Sequence, residues 1–226
     1  MGHNDNRISI QVSLSGYSFK IGSGSFVKAS GWQAAQSVFT ASELQARYDE
    51  VEISLLTPKV ALVPTQFYNQ QSLRQSLAEV AAIDETDKVE TVPVPEFGAV
   101  LLYSNSLGES LSSTIARNVL DVAGNPAPVL PEMYYILRSL GSLSEYNKIV
   151  ASYMDGWLHL AVAQGKSLML CNVFEAADFT TAEYFIFLVL SKLQLNPEQS
   201  VICFRTPLSQ EQELSLYRYF KAVEQL

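Results

Sequence analysis

The sequence predicts a mixed α/β fold in which one order of strands and helices occurs twice. The chain opens with three short strands, because apolar and polar side chains alternate at residues 8–14, 17–21 and 26–29. Capped helices and further strands then alternate, which is typical of a mixed sheet flanked by helices. The last third begins again with three strands, at residues 147–154, 157–163 and 167–174. Aligning Gly16 with Gly156 brings the two sets into correspondence.

Composition limits the functions that this fold can carry. The chain has 226 residues, of which 48% are hydrophobic and only 17% are charged. Fifteen Lys and Arg against 23 Asp and Glu give a net charge of −8 at pH 7. Nucleic-acid binding depends on clustered Lys and Arg, so this charge argues against DNA or RNA as a partner.

A turn, a helix and two strands follow the opening strands. The glycine-rich residues 22–25 predict a hairpin turn. Thr40 and Glu43 have the spacing of a capping box, which predicts a helix that ends near Tyr48. Apolar runs bounded by prolines predict strands at residues 51–56 and 60–63.

The next segment combines a helix with an acidic stretch. Asn69 is placed to cap a helix whose apolar face includes Leu73 and Leu77. Residues 84–96 then contain five Asp and Glu residues and two prolines. This stretch fits either a partner-binding acidic loop or a solvated connection with an extended segment at the edge of a sheet.

The remaining elements complete the two predicted units. A strand is expected at residues 97–103, a helix at 107–118, and a helix from Pro131 to about Leu140. In the last third, Thr180 and Glu183 form a second capping box that predicts a helix to about residue 195. A strand at 200–204 and a last helix at 211–226, capped by Ser209 and Gln212, end the chain.

These elements divide the chain into two predicted lobes of unequal length. The first comprises residues 1–147 and the second residues 148–226. Because the second lobe ends on a helix where a further strand would be expected, it is predicted to be shorter or truncated.

Neither a secretory signal nor a membrane span is expected from the sequence. The first seven residues are polar and no apolar stretch follows them, in contrast to a secretory signal. The longest apolar run, residues 184–190, is much shorter than the ~20 residues that a membrane span needs. We therefore expect a cytoplasmic protein without a membrane span.

The cysteines and histidines do not have the spacing of a metal site. Cys171 and Cys203 lie in apolar runs, and we expect both to be buried free thiols. His3 lies in the polar tail, and His159 lies in an alternating strand where a packed or surface histidine is expected. No metal-ligating residue is predicted.

Residues 8–19 (Ile-Ser-Ile-Gln-Val-Ser-Leu-Ser-Gly-Tyr-Ser-Phe) resemble the opening of a family of uncharacterised proteins, mainly from Bacteroidetes. The likeness extends loosely over most of the chain, including residues 62–64, 157–160 and 182–193. That family has an actin-like ATPase fold. The resemblance therefore implies two tandem ribonuclease-H-like lobes, each a strand meander plus helix–strand units, and it implies this fold more firmly than any activity.

The resemblance also indicates where a nucleotide would bind. In actin-like ATPases each lobe offers an Asp-x-Gly-Ser/Thr hairpin, whose backbone amides cradle phosphates while the Asp organises hydrated Mg²⁺. The matching segments here are Leu14-Ser15-Gly16 and Met154-Asp155-Gly156. Leucine replaces the first carboxylate, and the second is displaced by one residue.

A third expected element, the paired-glycine turn that binds adenosine, is replaced by residues 204–207, Phe-Arg-Thr-Pro. If Mg-ATP is bound, the candidate cofactor-binding residues are Ser15, Gly16, Asp155 and Gly156. No catalytic residue is predicted.

Two hypotheses for function follow. The first is a non-catalytic interaction module that binds an unknown protein partner or forms a homodimer, with Tyr217, Tyr219 and Phe220 as candidate contacts. The alternative is a divergent nucleotide-binding ATPase or kinase-like enzyme that uses Mg-ATP.

The helix at residues 181–195 is apolar on nearly all sides, so it either fills the cleft between the lobes or is buried elsewhere, in its own lobe or in a dimer.

Overall fold

The structure is a computed structural model that describes residues 6–23, 26–106 and 109–226. In chain order the strands are β1 (Asn6–Val12), β2 (Gly16–Ser23), β3 (Phe26–Ala29), β4 (Gln33–Ala34), β5 (Arg47–Tyr48), β6 (Glu50–Leu55), β7 (Val60–Pro64), β8 (Glu90–Val94), β9 (Ala99–Tyr103), β10 (Leu120–Asp121), β11 (Val129–Pro131), β12 (Asn147–Met154), β13 (Trp157–Gln164), β14 (Ser167–Glu175), β15 (Val201–Phe204) and β16 (Ala222–Gln225). The helices are α1 (Leu73–Ala78), α2 (Glu109–Asn118), α3 (Glu132–Ser142), α4 (Phe179–Lys192) and α5 (Gln210–Tyr217). The predicted turn at 22–25 and the predicted helix start at 107 lie partly outside the described residues, and His3 lies entirely outside them.

Two sheets with the same strand order form the centres of the two lobes. The N-terminal sheet has the order β11-β6-β1-β2-β3, and β4 pairs with the first residues of β2, Gly16 and Tyr17, on the edge that β3 occupies further along. Read in the same direction, the C-terminal sheet has the order β16-β15-β12-β13-β14. In both sheets, the three strands that come first in the chain (β1 to β3, and β12 to β14) pair antiparallel to one another. The two strands that come later in the chain (β6 and β11, or β15 and β16) run parallel to the first of those three. The two sheets therefore share one strand order.

Helices cover the sheets unequally. α2 packs on one face of the N-terminal sheet through Leu111, Ile115 and Ala116. α4 and α5 cover one face of the C-terminal sheet, and α3 covers the opposite face of that sheet. The apolar helix predicted at 181–195 therefore does not fill the space between the lobes. It is α4, and its buried side chains belong to the core of its own lobe.

A third, smaller sheet is inserted between β6 and α2. It has the order β7-β9-β8 and packs against α1 and α3. The acidic stretch leads into it as an edge strand, β8, rather than as a free loop. Asp87 is buried and bonded to Lys59 Nζ at 2.6 Å, so this part of the stretch is held by an ion pair and is not solvated.

Three local predictions are wrong for reasons that the structure explains. The helix predicted from Thr40 is only a short 3₁₀ turn at Ser42–Gln45, because Glu43 pairs with Lys28 on β3 and does not cap a helix. α4 is capped by Asp178, whose side chain accepts from Thr181 N, and not by Thr180. The last helix ends at Tyr217, and the following residues form β16 beside β15.

Other caps agree with the sequence. Ser209 and Gln212 form the predicted capping box of α5. Asn69 caps the 3₁₀ turn that leads into α1. Cys171 and Cys203 are free and lie on strands, but only Cys203 is buried as expected, while Cys171 is partly exposed. Burial raises the pKa of both thiols to about 12.

Among the described residues, no helix is long and apolar enough to cross a membrane. The N-terminal sheet ends at Pro131 and the C-terminal sheet begins at Asn147. The division of the chain at residue 147 stays a prediction.

Candidate functional site

The two lobes meet along a polar interlobe seam. It is formed by the β1–β2 turn, the β12–β13 turn, the first residue of α3, and the residues that follow β6 and β15. These elements come together because α3 leaves the N-terminal sheet at Pro131 and packs directly on the C-terminal sheet. The candidate nucleotide residues lie at one end of this seam.

The two hairpin turns have different local structures. Asp155 and Gly156 have positive φ values of 50° and 80°, as expected for a two-residue hairpin turn with glycine in second place. In the other lobe, Ser13 N donates to Gly16 O at 2.9 Å. A Cβ on Gly16 would lie 1.9 Å from the main-chain oxygen of Gln33, so only glycine allows β4 to approach β2 here.

This hydrogen-bond pattern corrects the alignment of the repeat. Ser13 faces Gly16 across the first turn, whereas Met154 pairs with Trp157 across the second. Equivalent residues of the two lobes therefore differ by 141 in number, and the alignment of Gly16 with Gly156 is wrong by one residue.

The two turns are hydrogen-bonded to each other. Asp155 Oδ2 accepts from Ser13 Oγ at 2.5 Å and from Ser15 N at 2.9 Å. Burial on its own would raise the pKa of Asp155, but these hydrogen bonds outweigh it and hold the pKa below its usual value. Trp32 Nε1 donates to Ser15 Oγ at 3.1 Å and supports the same loop. We refer to Ser13, Ser15 and Asp155 as the turn latch.

A buried carboxylate forms the centre of the seam. Glu132, the first residue of α3, is fully buried, and its Oε1 accepts from Gln11 Nε2 at 2.8 Å, Ser152 Oγ at 2.6 Å and Arg205 Nε at 2.9 Å. The guanidinium of Arg205 also lies 5.3 Å from the centre of the Tyr135 ring. One carboxylate thus joins β1, β12, α3 and the segment after β15. We call these four bonded residues the Glu132 hub.

His159 extends the seam further into the interior. It is fully buried, its Nε2 lies 3.0 Å from the Thr57 carbonyl oxygen of the other lobe, and it pairs with Ser152 across β12 and β13. Burial lowers the pKa of His159 below its usual value. Within the described residues, His159 Nδ1 and Glu132 Oε2 are buried without a hydrogen-bond partner.

The structure brings some of the candidate residues together and adds others. Ser15 bonds directly to Asp155, while Gly16 and Gly156 shape the two turns. Their role as cofactor-binding residues stays a prediction. The sequence does not indicate the Glu132 hub, although one signal is present: Glu132 is a carboxylate directly after Pro131, and the next five residues of the helix are apolar or aromatic.

The residues of the turn latch do not fit Mg-ATP in this arrangement. Leu14, which stands in place of the expected carboxylate, is 59% exposed at the turn. The Asp155 carboxylate accepts hydrogen bonds from the opposite turn, so it occupies amide and hydroxyl donors that would otherwise face a phosphate. Among the described residues, no three His, Cys, Asp or Glu side chains are grouped so that they could hold a metal ion.

Comparison with solved structures agrees with the two-lobed topology. A Bacteroides thetaiotaomicron protein of unknown function with an actin-like ATPase fold matches with a TM-score of 0.64 and 16% identity, over 99% of this chain and 91% of that one. The PilM–PilN type IV pilus biogenesis complex matches with a TM-score of 0.53 and 12% identity, over 100% and 89%. The cytoplasmic domain of EpsL, an inner membrane component of the Vibrio cholerae type II secretion system, matches with a TM-score of 0.52 and 15% identity, over 91% and 84%.

These likenesses show the fold, which is the actin-like ATPase fold that the sequence predicts. No curated protein matches the chain. The family described as "Protein of unknown function (DUF3822)" matches residues 3–223, nearly the whole length. The chain therefore belongs to the DUF3822 family.

Proposed function

We propose that this protein is a non-catalytic protein-binding module built on the actin-like scaffold. The observation that carries the proposal is the turn latch. In an actin-like ATPase the hairpin turns of the two lobes face a nucleotide, whereas here Asp155 of one turn is bonded to Ser13 and Ser15 of the other. The chain's own carboxylate takes the place of an external anion.

The names of two structural neighbours support a role in protein assembly. One neighbour was solved in the PilM–PilN type IV pilus biogenesis complex, and the other is a domain of a component of a secretion system. This chain shares their fold at low sequence identity. We propose that it likewise acts through contacts with other proteins.

The exposed aromatic residues of the C-terminal lobe are only partly available for such contacts. Tyr217 and Tyr219 are about half exposed, whereas Phe220 is buried in the core of the lobe. Of the three candidate contact residues, we therefore retain only the two tyrosines.

Thermal unfolding with nucleotide tests the proposal. A ligand at about 100 times its Kd stabilises the native state by about 2.7 kcal/mol, which corresponds to about 5–11 °C in Tm for a chain of this size. We expect millimolar Mg-ATP and Mg-ADP to leave Tm unchanged within about 1 °C. A shift of several degrees with either nucleotide would refute the proposal and favour the alternative, a nucleotide-binding enzyme.

Substitution of Asp155 separates the two hypotheses further. If Asp155 is a latch, Asp155→Ala lowers Tm in the absence of nucleotide, and Asp155→Asn lowers it less because one acceptor oxygen is kept. If Asp155 organises a metal–nucleotide complex, both variants instead abolish a nucleotide-dependent shift that the wild type shows.

A further inference from the structure

β14 forms one edge of the C-terminal sheet, on the side opposite to β16. It pairs with β13, and within the described residues no strand and no main-chain hydrogen bond reaches its other side. With nine residues it is the longest of the described strands. All nine side chains are at least partly exposed, whereas six of the eight in β13 are buried. β14 therefore presents a free edge of main-chain donors and acceptors.

This edge lacks most of the features that keep edge strands from pairing, which are short length, lysine, proline and bulges. β3, the equivalent edge of the N-terminal sheet, has four residues and contains Lys28. β8, an edge of the inserted sheet, contains Pro93. β14 has neither residue type, and its one charged residue, Glu175, is its last. A bulge at Met169 affects only the start of β14, since pairing with β13 is regular from Leu170 onward.

The hydrogen bonds at the ends of β13 show how its main-chain groups are directed. Gly165 N donates to Tyr146 O, on the β12 side, at 2.7 Å. Ala176 N donates to Gly156 O, on the β14 side, also at 2.7 Å. Because the N–H and C=O groups of successive residues point to opposite sides of a strand, the even-numbered residues of β13 face β14.

The strand pairing extends this alternation to β14. The even-numbered residues of β13 are paired with Leu170, Asn172 and Phe174, whose main-chain groups therefore face β13. The main-chain groups of Cys171 and Val173 face the opposite way, toward the free side of β14. A further strand would bond to these two residues.

The side chains of β14 match those of a second copy of β14 in one antiparallel register. A two-fold axis at Asn172 places this residue opposite Asn172 of the copy, Leu170 opposite Phe174, and Cys171 opposite Val173. Leu170 and Phe174 pack on the α4 side of the sheet, and Cys171 and Val173 on the α3 side. Apolar residues therefore meet on both faces, and the two Asn172 amides can hydrogen-bond to each other.

Neighbouring registers fit less well. An axis at Val173 would place Asn172 opposite Phe174, and Glu175 opposite Cys171. An axis at Cys171 would place Asn172 opposite Leu170. Each would set the amide against an apolar side chain, whereas the axis at Asn172 avoids this mismatch.

The charge of the chain also favours this edge for contact between copies. A net charge of −8 opposes self-association in general. Residues 167–174 contain no charged side chain, so two copies can meet here without placing like charges together. The axis at Asn172 holds the two Glu175 residues about 20 Å apart, at roughly 3.3 Å per residue.

We infer that the free edge of β14 pairs with the same edge of a second copy of this chain. The pairing is antiparallel about a two-fold axis at Asn172, and it joins two five-stranded sheets into one continuous sheet. Cys171 and Val173 of each copy exchange main-chain hydrogen bonds across the axis. The inference rests on the proposed function, because it names a second copy as one partner of a protein-binding module.

Sedimentation velocity of the full chain tests whether it associates. Because the same edge is used on both copies, association closes at a dimer. We expect a monomer–dimer equilibrium with a Kd below about 100 µM. A chain that stays monomeric up to about 0.5 mM, or one that forms species larger than a dimer, overturns the inference.

Charged substitutions at Asn172 test the position of the axis. Asn172→Asp and Asn172→Lys each place two like charges opposite each other, so each variant alone should associate at least about tenfold more weakly. An equimolar mixture of the two variants should regain the dimer, since opposite charges then face each other. The same two substitutions at Gln199, exposed before β15, are the control and should leave association unchanged. A dimer that persists equally in both Asn172 variants uses another surface and overturns the inference.

A disulfide at the axis gives an independent readout. In a chain with Cys171→Ala, Asn172→Cys places two thiols in a non-hydrogen-bonded pair with Cα atoms about 4.5 Å apart, within the range of a disulfide. Mild oxidation above the Kd should therefore yield a covalent dimer on a non-reducing gel. Ser167→Cys in the same background is the control, because this register places its two copies more than about 30 Å apart. No cross-link at residue 172, or equal cross-linking at 167, overturns the inference.

Failure of this inference is distinguishable from failure of the proposed function. A nucleotide-dependent rise in Tm contradicts the proposed function alone. A monomeric chain without such a rise contradicts the pairing of β14 alone.

Discussion

Replacing Arg205 by methionine should lower the free energy of unfolding by about 3–5 kcal/mol, because it removes the cation that accompanies a fully buried carboxylate. Glu132 Oε1 would keep only its neutral donors, Gln11 and Ser152. For a chain of this length, such a loss corresponds to a fall of about 6–20 °C in Tm.

The assay is a double-mutant cycle with Glu132→Gln, measured by denaturant unfolding. Because the second change removes the buried charge, the double variant should be more stable than the sum of the two single losses predicts, by at least about 1 kcal/mol. Arg138→Met is the matched control. Arg138 also pairs with a carboxylate, Glu52 at 3.0 Å, but its side chain is 47% exposed, so we expect a loss of at most about 1 kcal/mol.

Two results would contradict this reasoning about the Glu132 hub. One is a loss for Arg205→Met no greater than that for Arg138→Met. The other is additivity of the Arg205 and Glu132 changes within about 0.5 kcal/mol. Either would mean that Glu132 is not held by Arg205 in the folded protein.

Three more changes test other parts of the structure. Gly16→Ala should lower the free energy of unfolding, measured with urea, by about 1–3 kcal/mol, because the new Cβ would lie 1.9 Å from a backbone oxygen. Gly31→Ala is the control and should cost much less, since nothing lies within 4 Å of its Cβ position. Equal losses would contradict the close approach of β4. Asp87→Asn should lower the free energy of unfolding by about 3–5 kcal/mol, because it removes the charged partner of the buried Lys59. Asp84→Asn should cost at most about 1 kcal/mol, since the Asp84 side chain is 67% exposed. Because burial lowers the pKa of His159, the unfolded chain binds a proton near the ordinary pKa of about 6.5 and the folded chain does not. Stability should therefore fall as pH drops below about 6.5, with a slope that approaches about 1.4 kcal/mol per pH unit. A variant with glutamine at this position should show a flatter pH dependence over that range, and an unchanged slope would assign the proton elsewhere.

The strands were predictable where their signal is local. The first strand of the C-terminal sheet, Asn147–Met154, has the predicted bounds because apolar residues and flanking turns mark it in the sequence. β16 carries no such signal: its four residues follow a helix without a glycine or proline between them. It becomes a strand because β15 offers it a parallel edge, and that edge exists only once the lobe has folded.

The site was predictable in its parts but not in its connections. The resemblance to actin-like ATPase hairpins points to Ser15 and Asp155, yet 140 residues separate them in the chain, and no local pattern encodes their hydrogen bond. The same is true of Gln11 and Glu132, which are 121 residues apart. The sequence marks Arg205 only as a replacement for an expected glycine, and its role as the partner of a buried carboxylate depends on where α3 begins.

The contrast between the two sheet faces argues that the polarity of a strand follows from what covers it. Val150 and Ser9 occupy equivalent places on equivalent strands, and so do Ala161 and Lys20. Only one residue of each pair lies beneath a helix, and that residue is the apolar one. Lys20, which no helix of the described residues covers, donates to the main-chain oxygen of Leu226, so its charge has a polar partner, whereas the equivalent Ala161 lies in an apolar core.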